Sequence, residues 1–296
     1  MSGVPANGGP PTAPGSSIVG RIYRWFAWRT RHARQLPDFL IIGAQRAGTT
    51  SLHRYIEGHP RVCPPSVKEV HYFDNRYQEG LAWYRSFFPT RAHLRLVERL
   101  RGGRCLTGEA TPYYLFHPHA PRRAFESLSS TKLIVLLRNP VDRAYSHYHH
   151  SIRMGLDDAP TFEDALAREG ERLAGESEQM LADETYISFA HQHHSYLARG
   201  IYVDQLLAWR QYFPAERLLV LKSENLYEDP TRTFTRVLSF LELSAWRPSR
   251  FPSYNRGDNP AIEAGLRRRL ARFFAPHNRR LYELLDEDFC WNEEAG

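Results

Sequence analysis

The segment from Phe39 to Leu52, FLIIGAQRAGTTSL, constrains the fold more than any other part of this chain. Phe39 to Ile42 form an unbroken apolar run, as expected of a strand buried on both faces of a parallel sheet. Gly43 ends the run, and Gly48 follows after four residues. Thr49, Thr50 and Ser51 then open a helical pattern with Leu52, Tyr55 and Ile56 at helical spacing. A strand, a glycine-bearing turn and a hydroxyl-rich helix start make an anion cradle. Backbone N–H groups converge there, the helix dipole adds partial positive charge, and the hydroxyls donate further hydrogen bonds. The spacing matches the nucleotide-binding pattern G-x-x-x-x-G-K-[ST] except at one place. Thr49 stands where that pattern has lysine, and the cation lies inside the loop, at Arg46. The loop suits a phosphate-bearing ligand and argues against a standard magnesium NTPase. An ordinary βα turn uses glycines in the same way, so the loop alone leaves both readings open.

A second strand end points to the same ligand. Lys132 to Tyr148 reads KLIVLLRNPVDRAYSHY, with Leu133 to Leu137 as another buried strand. Arg138 sits at its carboxyl end, Asn139-Pro140 opens a turn, and a helix follows from Val141. Ligands of open parallel sheets bind beyond the carboxyl ends of strands, where Arg138 would face one. Ser146 lies about two helical turns on, and an arginine and a serine together grip one phosphate. Two such strand ends favour a ligand with two separated anionic groups.

From Asp38 onward, strand and helix patterns alternate. Strands are predicted at 39–42, 67–73, 105–109, 132–137 and 217–222. Helices are predicted at 50–57, 80–87, 92–100, 119–127, 140–153, 161–173, 199–212, 230–241, 262–274 and 277–285. This alternation predicts an α/β fold, a central parallel sheet flanked by helices in three layers. Residues 1–17, with four glycines and four prolines, are expected to be a disordered tail. Residues 18–37 form a basic aromatic segment in which Ile18, Ile22, Trp25 and Phe26 share one helical face. That face fits peripheral membrane contact through residues 18–34 and fits a cap docked on the body, docking being slightly preferred. A single domain over 38–296 follows, with 153–194 as an acidic helical insertion.

Charge narrows the partners. Segment 153–194 holds ten acids against three arginines, leaving the remainder at a net +13. A body so basic suits an anionic ligand. No helix-turn-helix or RNA-stacking signature accompanies the charge, so nucleic acid is not expected as a partner. The chain lacks an apolar run of about 18 residues and a secretory leader pattern. Its three cysteines are far apart, and a reducing cytoplasm is the expected location. The histidine clusters at 147–150 and 191–194 lack the cysteines or carboxylates that would complete a metal site, and no metal is expected.

The ordered segments GAQRAGTTSL, KEVHYFD and LLRNPVDRAYSHY resemble the sulfotransferases that use 3′-phosphoadenosine 5′-phosphosulfate (PAPS). The branch most similar comprises the heparan sulfate and related carbohydrate sulfotransferases and their bacterial relatives. The resemblance covers roughly 38–291 and implies a P-loop-like fold and PAPS as sulfuryl donor, without a metal. It implies that Arg46, Ala47, Gly48, Thr49, Thr50 and Ser51 hold the 5′-phosphosulfate and that Arg138 and Ser146 hold the 3′-phosphate. It also implies a catalytic base at Glu69 with a supporting histidine at His71. An extended VKEVHYFD segment would put Glu69 and His71 on one face and Lys68, Val70 and Tyr72 on the other. Arg46 would stabilise charge on the leaving oxygen; many relatives have lysine there, and an arginine is a poor proton donor. Arg256, in SYNRGDNP, matches a basic loop that closes over the donor. Ala110 stands where heparan-type relatives carry a substrate-contacting lysine, which weakens the case for a polyanionic acceptor. The expected acceptor is a small molecule or glycan hydroxyl, less favourably an amine. Two other readings stay open at this point, a P-loop kinase using ATP and a non-catalytic binder of polyanions or membranes.

Overall fold

A computed structural model describes residues 18–254 and 259–292 of the chain. The expectations for 1–17 and for Arg256 lie outside these residues. Four strands form one fully parallel sheet: β1 (Phe39–Gly43), β2 (Gly108–Ala110), β3 (Lys132–Leu137) and β4 (Leu218–Lys222), in the order β2-β1-β3-β4. β1 is buried at every position and β3 at all but Lys132, which is why neither shows period-two alternation. Leu40 pairs with Leu133 and Ile41 with Ile134, so these two apolar runs lie side by side. Their carboxyl ends flank the point where the strand order reverses, the crevice that open α/β sheets use for ligands.

The N-terminal half carries α1 (Ile18–Arg29), α2 (Thr49–Glu57), α3 (Leu81–Arg85), α4 (Arg91–Arg101), α5 (Ala120–Leu128) and α6 (Pro140–Arg153). The acidic segment contains α7 (Phe162–Leu173), α8 (Glu176–Ala182) and α9 (Phe189–His193). The remainder carries α10 (Tyr202–Arg210), α11 (Ser223–Glu228), α12 (Pro230–Phe240) and α13 (Ala264–Leu285). The main core joins the sheet to α2, α5, α10 and α12. A second apolar cluster, including Val141, Tyr148, Phe162, Tyr196, Leu266 and Phe274, binds α7 to α6 and α13. Among the described residues no helix is long and apolar enough to cross a membrane.

Three sequence expectations are corrected. Segment 67–73 is not a strand: Ala110 N–H donates to the Lys68 carbonyl (3.0 Å), but the Val70 N–H goes to the Glu109 carboxylate (3.2 Å). His71 then turns left-handed (φ 56°), which ends any ladder. The strand expected at 105–109 starts later, at Gly108, because the Thr107 N–H is taken by the Asp38 carboxylate (3.0 Å) and Leu106 bridges to Val62 instead. The helices expected at 262–274 and 277–285 are one, with Pro276 inside α13. Proline removes one backbone donor, but Leu266, Leu270, Phe274, Asn278 and Leu281 keep one buried face continuous across it.

Candidate active site

The cradle is built by close packing. A Cβ on Gly43 would lie 2.5 Å from the Leu115 side chain, so the end of β1 tolerates no larger residue. The loop is pinned at both sides: Ala44 N–H donates to the Leu136 carbonyl (2.7 Å), and Ser223 Oγ donates to the Ala47 carbonyl (2.7 Å). Gly48 adopts φ 91° as the residue capping α2, and a Cβ there would meet the Tyr227 hydroxyl at 2.6 Å. Arg46 is itself left-handed (φ 69°), a strained conformation, and its side chain reaches toward α6.

That direction joins the two strand ends. Arg46 Nε donates to Ser146 Oγ (3.1 Å), and Arg138 Nη1 donates to the Arg46 carbonyl (3.2 Å). Arg46, Gly48, Thr49, Thr50, Arg138 and Ser146 all line one cavity of about 520 Å³, within the range of small-ligand sites. Ala47 and Ser51 are buried behind it; Ser51 Oγ accepts from Tyr254 N–H (3.0 Å), tying the far wall to α2. Burial, with the nearby charges of Arg153 and Arg138, pulls the Arg46 guanidinium below its ordinary value. A half-buried set of like charges at a helix N-terminus is a site that favours anions. The cavity also has Asp142 and Glu224 on its wall; Asp142 is ion-paired with Arg267, and Glu224 accepts from Asn139 N–H (2.8 Å).

Glu69 and His71 lie beside this cavity. His71 Nε2 stands 3.5 Å from Glu69 Oε2, and its Nδ1 donates to Asp74 Oδ2 (2.7 Å). Burial pushes the Glu69 carboxyl up, but the His71 hydrogen bond and the Lys68 charge outweigh it and hold it at about 2. Burial pulls His71 down, whereas Asp74 and Glu69 raise it to about 10, so the ring is an imidazolium at neutral pH. The pairing of Glu69 with His71 was expected, but the alternation offered for it was not the cause. Lys68 does not point to the opposite face: it is ion-paired with Glu69 and donates to Thr50 Oγ1 (2.9 Å). In the 191–194 cluster His191 meets the Tyr113 hydroxyl (2.8 Å) and His194 the Leu156 carbonyl (2.9 Å), while the 147–150 cluster lies along α6.

Sequence reasoning missed several contributors. Asp74 sits three residues after His71, a spacing that turns a carboxylate back on the ring. Glu109 was passed over, although a carboxylate at a predicted strand end was the signal. It is fully buried and accepts from Tyr84 (2.8 Å), Tyr114 (2.9 Å), Thr111 (2.5 Å) and Val70 N–H (3.2 Å), thereby fixing the Lys68–His71 segment. Tyr227, Tyr254, Asn259 and Ile262 complete the cavity wall; Tyr254 and Asn259 belong to the SYNRGDNP stretch, in which only Arg256 had been singled out.

A family model described as "Sulfotransferase domain" matches residues 36–251. The membrane-associated sulfotransferase kil1 of Dictyostelium discoideum is 26% identical over 321 residues, covering 86% of this chain. Heparan sulfate glucosamine 3-O-sulfotransferase 3B1 of Homo sapiens is 31% identical over 284 residues, covering 88% of this chain. The chain spans 66% of the length of each of these relatives, just under two thirds. Among solved structures, a sulfotransferase from Alicyclobacillus acidocaldarius is similar at a TM-score of 0.66 and 31% identity. That match covers 88% of this chain and 100% of the other.

Proposed function

The chain belongs to the sulfotransferase family, and from that premise we propose that it moves the sulfuryl group of PAPS onto an acceptor hydroxyl, less favourably an amine, of a carbohydrate or glycolipid. The observation that carries this reading is the convergence of Arg46 and Arg138, from the ends of adjacent strands, on one cavity that also holds the α2 N-terminus and Ser146. A nucleotide with anionic groups at both ribose ends suits such a site. The donor supplies the sulfuryl group and a 5′-phosphate leaving group. Arg46 and the amides and hydroxyls from Gly48 to Thr50 offset charge on that phosphate, while Arg138 and Ser146 hold the 3′-phosphate. Glu69 takes the proton of the attacking hydroxyl, and His71, fixed by Asp74, orients the carboxylate. The glucosamine named for the human relative supports a sugar hydroxyl as acceptor. ATP-dependent phosphoryl transfer is disfavoured by Thr49 and by the family match.

Calorimetry with 3′-phosphoadenosine 5′-phosphate against ATP, on wild type and Arg138→Ala, tests the nucleotide. Preference for ATP, or undiminished binding by the variant, sinks the assignment. An acceptor screen with labelled donor follows, with Glu69→Gln as the inactive control; retained turnover removes Glu69 from its role.

A second inference concerns α1. Ile22, Trp25 and Phe26 are 62%, 58% and 51% exposed on one side of the helix, with Arg24 and Arg29 beside them. Exposed aromatic and aliphatic side chains among arginines suit the headgroup region of an anionic bilayer, so peripheral membrane contact is part of the proposed function.

A further inference from the structure

The Lys68 side chain touches both the anion cradle and the proposed base. Its Nζ donates to Thr50 Oγ1 at 2.9 Å and is ion-paired with Glu69 Oε1. Its backbone is anchored, since the Lys68 carbonyl accepts from Ala110 N–H (3.0 Å), so any movement belongs to the side chain. An ammonium has three protons to donate and a flexible stem, which lets it keep one oxygen partner while exchanging another.

We propose that Lys68 is a positioning residue that couples donor binding to the base: it covers Glu69 until the sulfonate of the donor arrives beside Thr50, then turns to that sulfonate and frees the carboxylate for the acceptor proton. This rests on the sulfuryl-transfer reading above. A carboxylate gripped by two cations is a weak base, and Brønsted behaviour makes a weak base an inefficient proton acceptor. Withdrawing Lys68 leaves Glu69 with His71 alone, which still orients it. The consequence is an enzyme whose acceptor site is primed only when the donor is present. The groups facing this cluster are Lys68 and His71 with its partner Asp74; His150 of α6, which also faces Arg46 and Arg153; and His193 of α9, which faces His71.

The test uses the full chain as wild type, Lys68→Met and Lys68→Arg, with two nucleotides measured by calorimetry without acceptor. PAPS carries the sulfonate that Lys68 would meet; 3′-phosphoadenosine 5′-phosphate does not. Lys68→Met is expected to weaken PAPS about tenfold while leaving the desulfated nucleotide within about threefold, the loss of one charged hydrogen bond. The acid limb of kcat/KM for PAPS, which reports the donor-free enzyme, should rise by at least about one pH unit, because one neighbouring cation shifts a carboxylate by about 1–3 units. Lys68→Arg should keep the wild-type limb. Equal loss for both nucleotides, or an unmoved acid limb, overturns the proposal while sparing the nucleotide assignment. Failure of wild type to bind either nucleotide overturns both.

Discussion

Replacing Glu109 by glutamine keeps the shape of the side chain and removes half of its accepting capacity. In the native protein Oε1 accepts from the Tyr84 and Tyr114 hydroxyls, and Oε2 accepts from the Thr111 hydroxyl and the Val70 N–H. An amide nitrogen placed at Oε2 confronts the Val70 N–H, a donor that cannot rotate. Placed at Oε1, it forces two buried tyrosine hydroxyls to accept, and Tyr114 already accepts from the Tyr72 N–H (2.8 Å). Either orientation orphans one or two buried donors, at about 1–3 kcal/mol each, so a loss of about 3 kcal/mol is expected. At roughly 2 °C per kcal/mol for a chain of this size, the melting temperature should fall by about 6 °C in scanning calorimetry. The damage should also reach function, because Val70 links Lys68 and Glu69 to His71. Turnover with a labelled donor should drop about tenfold while nucleotide affinity stays within about twofold. A Glu109→Gln protein that melts within 1 °C of wild type (about 0.5 kcal/mol on the same scale), or that turns over normally, would refute the claim that this carboxylate holds the base segment.

Arg46→Ala should lower turnover by about 10²–10³, the usual cost of one oxyanion donor. Arg46→Lys should keep most of it, and single-turnover kinetics separates the two outcomes. Asp74→Asn removes the main group holding His71 near 10. Because that raised value stabilises the fold below the ring's unperturbed value and is lost as pH rises through about 10, the variant should be weaker in urea at pH 6, with the gap closing above pH 10. Gly48→Ala combines left-handed strain with a clash on Tyr227 and should cost about 1–2 kcal/mol, read from denaturant midpoints. Co-sedimentation with phosphatidylserine vesicles should fall in Trp25→Glu/Phe26→Glu, while an unchanged bound fraction would dismiss α1 as the contact.

The two strand–loop–helix units were legible because each announces itself locally, as an apolar run, a break and a helix start. Their meeting in one cavity was legible too, since both strand ends carry an arginine and β1 and β3 pair directly. The contact between Glu69 and His71 was expected, but the path of their segment was read wrongly. Alternation along KEVHYFD implied a strand, whereas the left-handed turn at His71 and the pull of Glu109 on Val70 set the real path. Neither depends on periodicity, so no pattern in the segment reveals them. Pro276 misled for the opposite reason: a strong local signal was overruled by a buried face that only the folded chain displays. Tyr227 was invisible because it is ordinary in its own stretch and meaningful only after chain reversal, whereas Asn259 lay in SYNRGDNP, where only Arg256 drew notice.

The guanidiniums of Arg46 and Arg138 repel each other inside a partly dry pocket, and the fold carries that repulsion as a standing cost. An anion that settles between them would remove it, so with the proposed donor bound there the protein's resistance to unfolding should rise with nucleotide supply, by about 2.7 kcal/mol at a hundredfold excess over Kd. In a cell, sulfate starvation would then thin out the protein itself as well as idle it, because proteases sample the loosened population first.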